Sequence, residues 1–222
     1  MTYRLAVLSD VHADLYALRD ALRQIDAMGC DAIVCAGDTV DYGLFPNETI
    51  ALLAQRAIPT VRGNHDRWGI SSSKSSAGGE WALTKASWRF LAGTLRSWSL
   101  EREGSIVEVH HARPGSDMDG IIPPNAPRHR LELDVAVGPP PINASALLRN
   151  ADVLIVGHTH LPFAMRFGLR YIVNPGALLR DPAGGADNPP ATGTFGVLEL
   201  PERRWRVFRA KDGAEVDILR AP

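Results

Sequence analysis

The run Leu5-Ala-Val-Leu8 carries no polar residue, and residues 4–9 read as a buried strand. From residue 15 the period changes. Leu15, Leu18, Leu22 and Ile25 recur every three to four residues, which predicts a helix over 15–28 with one apolar face, closed by Gly29 as its C-cap. Asp14 stands where a helix takes its N-cap. Ala32-Ile-Val-Cys35 predicts a strand over 31–36. Asn47 then precedes a second helical pattern with Ile50, Leu53 and Ala57 inward, and Ile58-Pro-Thr-Val61 a strand over 58–62. The order β-α-β-α-β predicts strands covered by helices, with functional sites beyond the carboxyl ends of the strands.

The pattern then loosens. Residues 69–79 are rich in Gly and Ser and read as a mobile loop. Residues 80–95 return to a helical pattern, with Trp81, Trp88, Leu91 and Leu95 near one core-facing side. Residues 97–102 and 105–111 read as adjacent strands joined by a tight turn at Glu103-Gly104. The stretch 112–141 holds seven prolines and few periodic apolar positions, and reads as a lid over the face where it begins. A short helix at 145–150 leads to a strand at 152–156. Residues 163–220 read as short strands and turns, among them Arg170–Val173 and Phe195–Leu200. No internal repeat occurs, and 222 residues suit one domain spanning 1–222.

With 24 basic and 25 acidic side chains and no dense Lys/Arg stripe, extended nucleic-acid binding is excluded. No apolar run reaches membrane-spanning length. The N-terminus enters a strand directly, without the regions of a signal peptide, so a cytoplasmic location is expected. Cys30 and Cys35 flank the second strand, roughly 16 Å apart if extended. That is too far for a disulfide, so they read as core thiols suited to a reducing compartment.

Five polar blocks follow one another: Asp10-x-His12, Gly37-Asp38-x-x-Asp41, Gly63-Asn64-His65-Asp66, His110-His111, and Gly157-His158-Thr159-His160. At least four follow an apolar, strand-like run. Strand ends bearing Asp, Asn and His project metal ligands from one sheet edge, which predicts a dinuclear centre. Imidazole with carboxylate and amide oxygen suits two borderline divalent ions: Mn, Fe, Ni, Co or Zn. Two carboxylates leave such a pair with surplus positive charge, which attracts hydroxide and an anionic substrate. His110 and His111 are neighbours, so in a strand they point to opposite faces.

These blocks resemble the calcineurin-like metallophosphoesterases, and within them the small bacterial phosphodiesterase/phosphatase branch. In that branch the second block continues Gly-Asp-x-Val-Asp-Tyr-Gly, as Gly37 to Gly43 does here. The resemblance covers about residues 4–200. It implies an α/β fold, a metallophosphoesterase-type β-sandwich flanked by helices, with the metal site at the carboxyl ends of the strands. It implies metal-dependent hydrolysis of small phosphodiesters or phosphomonoesters by a hydroxide held at the ion pair. One ion would take Asp10, His12, Asp38 and His160, the other Asp38, Asn64, His111 and His158, with Asp38 bridging. The segment His111-Ala-Arg-Pro114 is similar to the family's His-Ala/Gly-Ser-Pro and selects His111 over His110. His65 would be the general acid, with Asp66 orienting it. Asn64, His65, Arg113 and Arg180 would contact substrate, and Asp41 would support a ligand imidazole or a backbone N–H. The chain departs from the family at Ala13-Asp14 (usually Gly-Asn), at Arg113 (usually Ser) and at Ala177, where Ser usually follows the turn Asn174-Pro175-Gly176. Dinucleoside polyphosphate or protein phosphatase activity are alternatives within this reading. A non-catalytic scaffold on the same fold is the alternative outside it, although the retromer scaffold subunit lacks a His at the place of His65.

Overall fold

A computed structural model describes residues 2–73, 82–126, 136–137, 143–180 and 193–221. The first strand, β1 (Tyr3–Leu8), sets the layers, because alternate residues of a strand face opposite ways. Leu5 and Val7 point into one apolar cluster, Ala6 and Leu8 into another. β1 pairs in parallel with β2 (Ala32–Cys35) and antiparallel with β10 (Thr194–Leu200), which pairs with β11 (Arg204–Arg209). The second sheet has six strands. At its centre β4 (Ser105–Val109), β7 (Val153–Ile155) and β9 (Arg170–Asn174) run parallel. β3 (Trp98–Arg102) forms one edge, and β8 (Phe163–Phe167) with β12 (Leu219–Ala221) the other.

Between the sheets lie Leu5, Val7, Val34, Val107, Val109, Ile155, Val173, Leu198 and Val207, all in one buried cluster. Helix α1 (Leu15–Met28) covers the outside of the first sheet with Leu18, Ala21, Leu22 and Ile25, packed with Ala6, Leu8 and Phe195. Helix α5 (Ala144–Leu148) lays Leu147 and Leu148 with Leu154, Phe163 and Met165 outside the second. The result is the expected α/β sandwich of two sheets flanked by helices.

Local signals account for α1. Asp14 accepts from the Ala17 N–H at 2.9 Å, and Gly29 closes the helix at φ 63°, where a glycine carries no steric penalty. Elsewhere the elements differ from the sequence pattern. Helix α2 (Pro46–Gln55) starts one residue before Asn47, because proline suits a first helical position. The Asn47 side chain instead binds Ala82 O and Thr84 N. Ala57 lies beyond that helix and is exposed. Residues 58–62 make only single bridges, Cys35 to Thr60 and Val61 to Leu95, and Pro59 has no N–H for a longer ladder.

Helix α3 (Asn64–Ser73) carries residues 69–73, read above as loop; residues 74–81, Trp81 included, lie outside the described residues. Helix α4 (Lys85–Ala92) is shorter than the pattern suggested. Leu91 is buried in it, the Trp88 indole N–H donates to Ile70 O at 3.2 Å, and Leu95 is exposed beyond its end. Of the stretch 112–141, residues 112–126 and 136–137 are described. There β5 (Asp119–Gly120) pairs with β6 (Ala136–Val137), and Ile121 is buried in the cluster of Leu147 and Leu148. The rest of that lid expectation lies outside the described residues. No helix among the described residues is long and apolar enough to cross a membrane. Cys30 and Cys35 are both free thiols.

Candidate metal centre

β1, β2, β4 and β7 end at Leu8, Cys35, Val109 and Ile155, and the polar blocks leave the sheets within a few residues of those ends. The turns are locked to one another within each sheet, those after β1 and β2 in the first and those after β4 and β7 in the second. Asp10 N donates to Gly37 O (2.9 Å), His12 N to Asp38 O (2.9 Å) and Gly157 N to His111 O (2.8 Å). Their backbones are strained. Asp10 (φ 52°), His12 (47°), Asp38 (52°), His158 (66°) and His160 (55°) are all left-handed without being glycine. Such residues cost on the order of 1–3 kcal/mol each, and they persist where surrounding structure over-determines them. Two glycines let the turns close. A Cβ at Gly63 would meet Asp38 Oδ1 at 1.9 Å, and one at Gly157 would meet Ser9 Oγ at 2.0 Å.

Among the described residues three clusters result: Asp10 with His12 and His160, Asp38 with His111 and His158, and, linking them, His12 and Asp38 with His65. Asp10, His12, Asp38, Asn64, His111 and His158 are buried. The hydrogen bonds fix which atoms turn inward. His12 Nδ1 lies 3.1 Å from Val40 O and His111 Nδ1 2.9 Å from Ala36 O, so both nitrogens carry the proton. Their Nε2 atoms then face the other candidate ligands. His12 Nε2 is 3.2 Å from His160 Nε2, and His111 Nε2 is 3.0 Å from Asn64 Oδ1 and 3.2 Å from Asp38 Oδ2. His158 Nε2 lies 2.8 Å from Met118 O, which leaves Nδ1 with the lone pair. Asp10 Oδ2 accepts from Ser9 Oγ and His158 N, while its buried Oδ1 makes no hydrogen bond among the described residues and faces His160 Nε2 at 3.3 Å. Buried imidazole nitrogens converging on two carboxylates, one with an oxygen free of hydrogen bonds, fit a divalent cation.

The imidazoles differ in the absence of an ion: at His111 burial is outweighed by Asp38 and Asp10, which push it up to about 10, so it carries a positive charge where a cation would sit. Burial pushes the His12 imidazole down to about 4, against the pull of Asp38, so it is neutral and available as a ligand at pH 7. Burial alone would raise Asp10 and Asp38. The imidazoles of His160, His111 and His12 outweigh it at Asp10, and those of His111 and His12 at Asp38, so both stay ionised below the usual carboxylate range.

His65 and Asp66 do not pair. His65 Nδ1 is 2.7 Å from Asp41 Oδ2, and His65 N donates to Asp38 Oδ1 at 2.9 Å. Asp66 instead accepts from Thr39 N (2.8 Å), Thr39 Oγ1 (2.6 Å) and Gly63 N (3.0 Å). Both residues lie in the first turn of α3, where successive side chains diverge, so Asp66 turns back to cap the helix. Burial, with the Asp38 charge adding, pushes Asp66 up to about 6. At His65 burial is outweighed by Asp41 and Asp38, and its pKa is raised. Arg180 is drawn to Asp14, at 2.8 and 3.0 Å, rather than standing free for an anion. Arg113 Nε is buried with no hydrogen-bond partner among the described residues. β4 ends at Val109, so both histidines lie just past the strand read over 105–111, and His110 is part-buried beside Glu108.

Asn174, read above only as a turn residue, has a structural hold on the last block. Its Nδ2 donates to Gly157 O (2.8 Å) and Thr159 Oγ1 (3.1 Å), and its Oδ1 accepts from Gly176 N (2.8 Å). Asn174→Ala should cost about 1–3 kcal/mol, because the groups left behind are buried. It should also weaken metal binding roughly 10–100-fold, as loss of a supporting contact does. Thermal melts and a metal titration check both; unchanged metal affinity would show that the turn holds itself.

A family model described as Calcineurin-like phosphoesterase matches residues 3–162. An uncharacterized protein of Methanocaldococcus jannaschii is 25% identical over 199 residues, 78% of this chain and 75% of its own. The crystal structure of a metallophosphoesterase from Sphaerobacter thermophilus superposes with TM-score 0.63 at 21% identity, covering 97% of this chain and 89% of that one. Yfce, a phosphoesterase from E. coli, superposes with TM-score 0.58 at 22% identity, covering 96% and 97%.

Proposed function

The chain belongs to the calcineurin-like phosphoesterase family, hydrolases that act on phosphoester bonds, and from that premise we propose a two-ion hydrolase of small phosphodiesters or phosphomonoesters. The observation that carries this reading is the convergence of buried imidazole nitrogens on either side of Asp38. Asp10, His12, Asp38 and His160 would hold one divalent ion, and Asp38, Asn64, His111 and His158 the other. When bound, such ions supply Lewis acidity toward phosphoryl oxygens and hydroxide at neutral pH.

The protein's own groups do the rest. His65 is anchored through Nδ1 to Asp41, so Nε2 is the nitrogen that donates a proton to the leaving oxygen. Asp41, not Asp66, is the residue that orients it. Asp66 ties Thr39 to Gly63, and so fixes the start of α3 against the Asp38 block. Arg113 Nε, free of hydrogen bonds among the described residues, gives an anion a charged donor. The scaffold alternative loses support, because His65 is both present and held in a donating pose. Residues 1–222 are read as one domain, and the free thiols suit a reducing cytoplasm.

The test compares Mn²⁺-loaded with chelated protein on bis(p-nitrophenyl) phosphate and p-nitrophenyl phosphate. Turnover should require Mn²⁺. Mn²⁺ at about 100 times its Kd should also add about 2.7 kcal/mol of stability. A folded, Mn²⁺-loaded protein that cleaves neither ester would contradict the proposal, as would turnover indifferent to the chelator.

A further inference from the structure

Two large aromatic side chains stand exposed beside the candidate centre, Tyr42 at 63% and Trp68 at 42% of full exposure. Both flank His65. The ring centroids lie 4.9 Å apart for Tyr42 and His65, and 4.8 Å for Trp68 and His65; Tyr42 is also 4.6 Å from His12. Trp68 reaches this place because it follows His65 by three residues on α3, one helical turn on the same face.

Tyr42 reaches it at a conformational cost. Asp41 (φ 78°) and Tyr42 (φ 60°) are consecutive left-handed residues. A bulky side chain in that region is an outlier. The turn is bolted down: Tyr42 N donates to Asp41 Oδ1 and Gly43 N to His12 O, each at 2.9 Å. A Cβ on Gly43 would meet His12 O at 2.4 Å, so the chain passes too close for any other residue. The turn places Asp41 on His65 and the Tyr42 ring against His12 and His65, with most of Tyr42 still facing solvent. A strained turn that holds an aromatic ring open at a site motivates a ligand contact there.

We propose that Tyr42 and Trp68 form a stacking subsite for a planar aromatic group on the leaving side of the ester, in biological form a nucleoside. This deepens the phosphoesterase reading and rests on it. With phosphorus at the Asp38 cluster and the leaving oxygen at His65, the group on that oxygen emerges between these two rings. Neither ring brings a formal charge, and Arg67, the cation beside Trp68, is paired with Asp117. The face selects for an uncharged planar partner, which both faces of a nucleobase satisfy.

The experiment measures binding and turnover on the Mn²⁺-loaded protein. Calorimetry gives Kd for adenosine monophosphate and for glycerol phosphate, and steady-state kinetics give KM for adenylyl-adenosine and for glycerophosphoglycerol. The parent should favour the adenosine member of each pair. Tyr42→Leu and Trp68→Leu should each reduce that preference roughly tenfold, the scale of one stacked base. Tyr42→Phe and Trp68→Phe should retain it, which separates stacking from folding damage. No preference in the parent, or equal weakening of both ligands in the Leu variants, would overturn the subsite. A parent that prefers adenosine monophosphate yet cleaves no ester would leave the subsite standing and remove the phosphoesterase reading. Turnover of both diesters with equal KM would do the reverse.

Discussion

Asp38→Asn should lose both activity and metal, and lose more than any other single ligand change. Asp38 Oδ2 lies 3.2 Å from His111 Nε2 and 3.9 Å from His12 Nε2, so one carboxylate serves both halves of the cluster. Its other oxygen accepts from His65 N at 2.9 Å. Asparagine keeps the shape but removes the one negative charge that the two proposed sites would share. Turnover should fall by more than the about 10⁴-fold that a general acid can account for. Metal analysis should show a fall in bound ions as well. A variant that keeps its metals and near-normal turnover would remove the bridging role.

His65→Ala should behave differently. None of the proposed ligands is altered, so metal content should hold while kcat falls by about 10²–10⁴ on esters with poor leaving groups. Esters of p-nitrophenol scarcely need a proton at the leaving oxygen, so their deficit should be much smaller. An equal deficit for both kinds of ester would assign His65 to phosphate binding instead of proton transfer.

How much of this was legible in the chain depended on how local the cause was. Helix α1 could be read to the residue, because its period, its Asp14 cap and its Gly29 terminus are all encoded within it. Four of the five polar blocks could be read because each follows its strand within a few residues. Residues 69–73 were misread from composition. Their serines donate to carbonyls one turn back, Ser71 to Arg67 O and Ser72 to Trp68 O, and the helix continues through them. The pairing of His65 failed for the opposite reason. Asp66 is adjacent in sequence, but the helix turns it away, whereas Asp41 arrives from 24 positions earlier through the fold. Arg180 was drawn off by Asp14, a partner 166 positions away that no short pattern contains. Asn174 showed itself only as a residue before Pro-Gly. Its hold on Gly157 and Thr159 depends on β9 lying beside β7.

The central claim is that two ions share Asp38. Anomalous scattering from crystals grown with Mn²⁺ tests it most directly. Two peaks are expected, roughly 3–4 Å apart as in other two-metal hydrolases, with Asp38 in contact with both. A single peak touched by only three of the seven residues, with Asp38 reaching no second ion, would contradict it.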